Sequence, residues 1–351
     1  MTYQFQVDQL KELRPNIGWR AYEYQGTERF QEFEEFSRFC ITNLEEFAKV
    51  NNLPPIFFCY DTDNTIDGKA GNSYGVPYIF LNRGIIDVIS QFFMHHEAAF
   101  VDPEFNEFRA MREQLNLALG FIMFQQTSLF AFYHERAHIL QMKREILKWK
   151  YFNQETKNLT ERYAVNLQES IYCEKEHAME FDADINAAQL CSMHVFQFPG
   201  TNGNEQHSRL LASLSVAGIL TYWLYLCNGN YDLYFKRGNH PHPLIRAFYI
   251  TDTMLRQLSL MSGANFDPAA TLNSALRIVD ALYEHQENHP IQAFFHALED
   301  SGDEIEAFVN ELIASCDNYP HLLRNQDKKP KALRLVTPRG LRYSRCKNRV
   351  I

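Results

Sequence analysis

Residues 134 to 138 read His-Glu-Arg-Ala-His, a pattern whose residue types and spacing could bind a metal ion and activate water. On an α-helix, residues four apart share a face, so His134 and His138 would present two imidazoles to one cation. Glu135 would lie one step around the helix, where a carboxylate can take a proton from water without binding the cation. Five residues can match by chance, so the rest of the chain must supply the missing ligand.

A catalytic zinc ion needs a third protein ligand. The chain does not continue as HExxHxxGxxH, because Gln141 stands at the glycine position and Arg144 at the histidine position. Residues 180–184 read Glu-Phe-Asp-Ala-Asp, which would place Glu180 and Asp184 on one helix face in an alanine-rich stretch. We expect Glu180 to bind the cation and Asp184 to accept the second N–H of a ligating histidine. The alternative is an ordinary solvated acidic face.

The elements that must position these residues are mostly helical. Apolar residues recur at three- and four-residue steps, typical of helices, over 27–51, about 107–148 and about 158–195. Two or three further helices are expected over 251–316. Short strands are predicted at 54–60 and 76–82, with a turn-rich stretch between them. The expected fold class is mainly α with a small β-sheet (α+β).

Composition places the chain among ordinary globular proteins. It has 351 residues, of which 46% are hydrophobic and 22% charged, and this excludes extensive disorder. Its seven cysteines are scattered and form no CxxC pair, which favours reduced thiols in a cytosol-like compartment. The first residues lack the basic and apolar regions of a secretory signal. We therefore expect a cytoplasmic protein.

Two segments leave alternatives open. Residues 210–227 are uncharged and almost long enough to cross a bilayer, but no positive cluster flanks them, so a buried helix is favoured over a membrane span. Residues 326–351 carry nine Lys or Arg and one Asp, although the whole chain has a net charge of −9. This basic tail could bind nucleic acid or an anionic membrane surface. Its alternating basic and apolar residues favour folding back on the acidic body.

The two motifs together resemble those of a known family. HERAH, followed about forty residues later by EFDAD, is similar to the HExxH…ExxxD pattern of the gluzincin metallopeptidases. The segment GVPYIFLNRGIIDVI resembles the strand and helix that precede the active-site helix in this group, where an edge strand holds the substrate. His242-Pro-Leu-Ile-Arg246 is similar to the HPxxxR signature of M48-type peptidases. In size and layout, the bacterial phage-exclusion peptidases are the most similar within the group.

The resemblance spans about residues 55–250 and implies a domain organisation and a reaction. A zincin-like metallopeptidase core would occupy 1–250, with added helices at 251–325 and the basic tail at 326–351. The implied function is that of a zinc-dependent endopeptidase cleaving a cytosolic protein, in phage defence or as a toxin-like protease. One Zn²⁺ per chain would be bound by His134, His138 and Glu180.

The resemblance also implies roles for the residues around the cation. Glu135 would be the general base, and Asp184 would lie behind a ligating histidine. His242 or Arg246 would stabilise the oxyanion, or would instead tie the 237–250 segment to the body. An extended substrate would pair with the edge strand through Val76, Tyr78 and Phe80.

Two other functions stay open. Glu135-x-x-His138 and Glu174-x-x-His177 are two ExxH pairs, as in di-iron carboxylate bundles, although only about 35 residues separate them. The di-iron hypothesis also leaves His134, Glu180 and Asp184 unexplained. In the second alternative zinc is structural, and the chain is a non-catalytic binding or regulatory protein.

Overall fold

The computed structural model describes residues 2–145, 172–198, 205–227, 229, 231–262, 266–283, 290–319 and 322. Helices dominate, and one three-stranded sheet accompanies them, which confirms the predicted class of mainly α with a small β-sheet. The helices are α1 (Tyr3–Leu13), α2 (Pro15–Gly18), α3 (Phe30–Val50), α4 (Ser90–His95), α5 (Asn106–Leu115), α6 (Leu119–Glu145), α7 (Glu174–Gln197), α8 (Glu205–Leu226), α9 (Pro243–Ser262), α10 (Pro268–Leu282) and α11 (Pro290–Cys316).

Local side chains fix where several helices begin. Thr2 accepts a hydrogen bond from the Phe5 N–H at the start of α1, and Asp267 accepts from Ala269 and Ala270 at the start of α10. These oxygens satisfy N–H groups that have no partner within the helix. In α3 the apolar stripe expected over 27–51 is buried against the core.

The strands β1 (Phe57–Asp61), β2 (Gly68–Ser73) and β3 (Val76–Asn82) form one sheet in the order β1-β3-β2. β1 runs parallel to β3, and β2 pairs with β3 in antiparallel register. A two-residue turn at Tyr74 and Gly75 joins β2 to β3, and both residues have positive φ, as a tight hairpin requires. β3 is therefore the central strand, and the prediction that it is the edge strand is wrong.

The strand β2 lies in the stretch predicted to be turn-rich. Its sequence, GKAGNS, has two glycines and no β-branched residue, so its local signal for a strand is weak. Contacts with distant residues explain both glycines. A Cβ on Gly71 would lie 2.4 Å from the Tyr78 ring, and one on Gly68 would lie 3.0 Å from Cγ of Glu135. Pairing with β3 makes this segment a strand.

The helical segment predicted over about 107–148, of which the structure describes residues up to 145, is broken. Asn116 adopts a left-handed conformation with φ of 51°, and the helical segments on either side are bent by 85°. The new N-terminus at Leu119 and Gly120 is capped from outside, because the Glu97 carboxylate accepts both backbone N–H groups at 3.0 and 2.6 Å. Residues 158–171 of the next predicted helix lie outside the described residues, and its remainder forms α7.

The helix α6 is the centre of the fold, with α7 and α8 packed on it and β2 and β3 beside it. Among the described helices, α8 is the one long and apolar enough to cross a membrane, and 83% of its most apolar 18-residue window is buried inside the protein. Gly218 of α8 approaches α6 so closely that a Cβ would lie 2.9 Å from the Met123 carbonyl oxygen. A small residue there sets the spacing of the two helices.

The buried hydrophobic residues form one cluster that extends from Tyr3 to Leu322. The predicted boundary at residue 250 falls within α9, and the cluster includes residues on both sides of it. Six described cysteines are free thiols, and Cys346 lies outside the described residues together with the tail 326–351.

We predict that Gly218→Ala destabilises the protein by about 1–3 kcal/mol, because the methyl group must push α8 away from α6. Gly302→Ala is the matched control, since no atom lies within 4 Å of its added Cβ. Alanine there should be neutral or stabilise α11 by up to about 1 kcal/mol. Urea unfolding of both variants measures the difference. Equal effects would show that the close approach at Gly218 does not set the packing.

Candidate metal centre

Two helices bring the sequence-predicted ligands together. α6 supplies His134 and His138, which are one turn apart, and the adjacent α7 supplies Glu180. His134 and Glu180 are only 8% and 7% exposed, so they are held away from bulk water. Among the described residues, these three form the one group of histidine, cysteine and acidic side chains that could hold a metal ion.

The spacing of the three ligating groups fits a tetrahedral cation. Nε2 of His134 and Nε2 of His138 lie 3.1 Å apart; Glu180 Oε2 lies 3.3 Å from the first nitrogen, and Glu180 Oε1 lies 3.4 Å from the second. Ligands at 2.0–2.1 Å from a tetrahedral ion are separated by about 3.3–3.4 Å. A first-row divalent cation between these atoms would therefore require little movement of the side chains.

His134 is oriented from behind by Asp184. Its Nδ1 lies 2.9 Å from Asp184 Oδ1, which leaves Nε2 facing Glu180. Asp184 is fully buried and receives further hydrogen bonds from Arg246 Nε and Nη2, both at 2.8 Å, and from the Tyr249 hydroxyl. This carboxylate cannot turn away without losing several charged or hydroxyl donors. The arrangement holds one tautomer of the ligating imidazole.

The electrostatics of the centre favour positive charge. Burial lowers the pKa of His134, but hydrogen bonds and charge from Asp184 and Glu180 outweigh it and raise the value to about 10. Burial opposes ionisation of Glu180, yet His240 and His138 hold its pKa well below the usual range. A group of side chains that attracts protons so strongly also attracts a cation, which would displace those protons.

Glu135 lies between the ligands and β2. A Cβ on Gly68 would be 3.1 Å from Glu135 Oε1, and the Ala70 backbone N–H also acts on this carboxylate. Burial raises the pKa of Glu135, as does the charge of Glu180. Burial and the Glu135 charge raise the pKa of Asp67 to about 8. Several acids therefore crowd one buried place, as expected where a cation or a proton is handled.

The predicted roles of the 237–250 segment divide between two residues. Arg246 reaches the centre, 3.1 Å from Glu180 Oε2, and its guanidinium stacks 4.1 Å from the Trp223 ring. His242 does not contact the cluster. Its Nδ1 accepts the Leu244 N–H at the start of α9, and burial lowers its pKa to about 4. Arg246 therefore ties the segment to the body, whereas His242 is bonded within the segment.

His240 is one of the residues that sequence reasoning missed. It is 6% exposed, and its Nε2 lies 3.3 Å from Glu180 Oε1. The sequence signal for His240 is the repeated His-Pro at 240–243, of which only the second pair resembles the family signature. That second pair also has two residues, rather than three, before Arg246, so it is similar to HPxxxR without matching it.

The residues predicted to bind substrate are not at a sheet edge. Val76, Tyr78 and Phe80 belong to the central strand, and Phe80 is fully buried. Within the described residues no strand pairs with the other side of β2, so the edge beside the centre is Gly68–Ser73. The prediction chose the strand with the stronger β-signal, whereas position in the sheet depends on the pairing of all three.

The second ExxH pair lies apart from the cluster. His177 directs Nε2 at the carbonyl oxygens of Arg237 and Gly238, at 3.3 and 3.1 Å. Glu174 is at the N-terminus of α7, and neither residue belongs to the metal-binding group. The described residues therefore offer no second metal position of the kind that a di-iron bundle needs.

Comparison of the chain with protein-family models, with curated proteins and with solved structures finds no match. What the centre can do therefore follows from its residues. Two imidazoles and a carboxylate could hold one metal ion, and a second acid, Glu135, stands beside them without belonging to the set.

We predict that the full chain binds one Co²⁺. Glu180→Gln should lower the affinity for Co²⁺ by more than about 100-fold, which exceeds the loss expected when a residue that only orients a ligand is removed. His95→Ala, on an exposed histidine outside the cluster, should leave binding unchanged. Titration followed by cobalt absorption measures the dissociation constant, and circular dichroism checks that each variant is folded. Equal affinity of wild type and Glu180→Gln would place the ion elsewhere.

Proposed function

We propose that the chain is a zinc-dependent endopeptidase whose centre is formed by His134, His138 and Glu180. The observation that carries the proposal is the position of Glu135. Its buried carboxylate lies beside the ligands and against Gly68 on the free edge of β2. A base between a cation site and a strand edge with which no described strand pairs fits the hydrolysis of an extended polypeptide.

The donor set supports zinc as the ion. Two imidazole nitrogens and one carboxylate oxygen, with a fourth position left for water, are the ligands of hydrolytic zinc centres. Calcium and magnesium prefer oxygen ligands, and a set with two nitrogens is a poor match for either. Bound zinc would supply a Lewis acid that polarises the scissile carbonyl and lowers the pKa of water.

Glu135 is the general base in this proposal. One of its oxygens, Oε2, is buried and has no hydrogen-bond partner among the described residues. An unpaired buried carboxylate oxygen costs stability, and such groups concentrate at functional sites. Burial raises its pKa, which suits a group that takes a proton from water and then delivers it to the departing amine.

His240 is placed to stabilise the oxyanion. Its ring lies beside Glu180 Oε1, yet it does not belong to the group of three whose ligating atoms lie within 4.8 Å of one another. It therefore stands at the border of the cluster, where an N–H can be directed at a developing negative charge. Arg246 holds Glu180 and Asp184 in place and acts through them.

In this proposal β2 is the strand that binds substrate, through the edge that faces away from β3. Asn82 N–H donates to the Asp67 carbonyl, so in this antiparallel pairing Gly68, Ala70 and Asn72 point their backbone groups away from β3. The Gly68 N–H is taken by the Asp67 carboxylate at 2.8 Å. The Ala70 N–H interacts with Glu135. An extended substrate would therefore pair with the outward carbonyl oxygens of Gly68 and Ala70 and with the backbone N–H and carbonyl of Asn72. By the family resemblance, the substrate is a cytosolic protein, in phage defence or a toxin-like role.

A non-catalytic zinc protein is the second candidate. It accounts for the ligands, but it assigns no role to Glu135, whose burial is costly, nor to the edge of β2 that no described strand covers. A structural zinc ion is also enclosed by four protein ligands, whereas the described part of the chain supplies three side chains to this group. Both observations favour the enzyme.

We predict that Glu135→Gln keeps zinc binding and lowers the rate of peptide hydrolysis by about 10²–10⁴-fold, the contribution of a general base. Glu176→Gln is the control, because Glu176 is a partly buried glutamate on α7 outside the metal-binding group. Cells expressing wild type, Glu135→Gln or Glu176→Gln are compared by mass spectrometry of newly formed protein N-termini. New termini should appear with wild type and Glu176→Gln alone. The same termini with Glu135→Gln would refute hydrolysis at this centre.

A further inference from the structure

The second ligating histidine is oriented by a residue that the family pattern does not include. His138 Nδ1 lies 2.8 Å from Oε1 of Gln141, which stands three residues further along α6. Gln141 is fully buried. In the sequence, Gln141 only shows that the chain does not continue as HExxHxxGxxH, and this predicts no role for it.

The orientation of the Gln141 amide is fixed by its other contacts. Nε2 donates to the Met179 carbonyl oxygen at 2.9 Å and to Asp182 Oδ2 at 2.8 Å. Both partners are acceptors, so a flipped amide would direct Oε1 at two oxygens and lose both bonds. Oε1 must therefore face His138, and it can only accept.

We infer that Gln141 is a positioning residue that fixes the tautomer of His138 and thereby the affinity of the centre for its metal ion. Because Oε1 accepts, His138 carries its proton on Nδ1. Its Nε2 lone pair then faces the position between His134 and Glu180 where the metal ion would bind. The other tautomer would direct an N–H at the cation. This inference rests on the metal centre of the proposed function.

The same amide also links the two helices that carry the ligands. Met179 and Asp182 belong to α7 and flank Glu180 in the sequence. The two hydrogen bonds from Gln141 therefore hold the backbone and a side chain of α7 in register with His138. One side chain thus sets both the tautomer of the second ligand and the distance to the third.

The test compares three variants by zinc titration against a chromophoric chelator. Gln141→Met keeps the side-chain volume and removes the acceptor, and we expect the dissociation constant to rise about 10–100-fold. Gln141→Glu combined with Asp182→Asn keeps an acceptor oxygen towards His138 and gives the second oxygen an amide donor in place of the Asp182 carboxylate, so it should recover most of the affinity. Gln126→Met is the matched control, because Gln126 is a buried glutamine on the same helix that does not contact the ligands. It should bind zinc as wild type does.

A second measurement needs no substitution. Long-range ¹⁵N–¹H correlation spectra of the histidine rings in the zinc-loaded wild type should show His138 protonated at Nδ1 and bound through Nε2. Binding through Nδ1 would overturn the inference, even if Gln141→Met failed to fold.

The outcomes separate this inference from the proposed function. A wild type that binds no zinc overturns both. Tight zinc binding with Gln141→Met within about twofold of wild type overturns the role of Gln141 and leaves the zinc centre standing. If the double variant Gln141→Glu, Asp182→Asn is as weak as Gln141→Met, the side chain acts through helix packing, and the assignment to the His138 tautomer is wrong.

Discussion

The structure depends on one buried cluster, in which two imidazoles from α6 contact one carboxylate from α7. His134, His138 and Glu180 place their polar atoms 3.1–3.4 Å apart in the interior. Such groups are costly to bury unless they are paired or hold an ion. Charged and polar residues therefore surround them, with Asp184 and Arg246 on one side and Gln141 on the other. The packing of α8 and α9 against these helices keeps that second layer in place.

Much of the centre could be predicted because helices fix local geometry. The spacing of His134 and His138, and that of Glu180 and Asp184, places each pair on one face whatever the rest of the chain does. The chemistry of the residue types then limits what such faces can bind. The mainly helical class followed from apolar periodicity in the same way.

The parts that escaped prediction depend on contacts between distant residues. β2 is a strand because it pairs with β3, although its own residues favour a turn. The break before α6 depends on Asn116 and on the remote Glu97, which caps the new helix end. His240 reaches Glu180 from 60 positions away, and Gln141, a neighbour of His138 on α6, is oriented by partners about 40 positions away. The spacing of residues along one helix does not predict these distant contacts.

The central claim is an open zinc centre with three protein ligands, beside which Glu135 stands as base. The most direct measurement is a crystal structure of the zinc-loaded full chain, with anomalous scattering recorded at the zinc edge. The account predicts one anomalous peak bound by His134, His138 and Glu180, with a non-protein ligand in the fourth position facing Glu135. A peak elsewhere, or one enclosed by His240 as a fourth protein ligand, would contradict it.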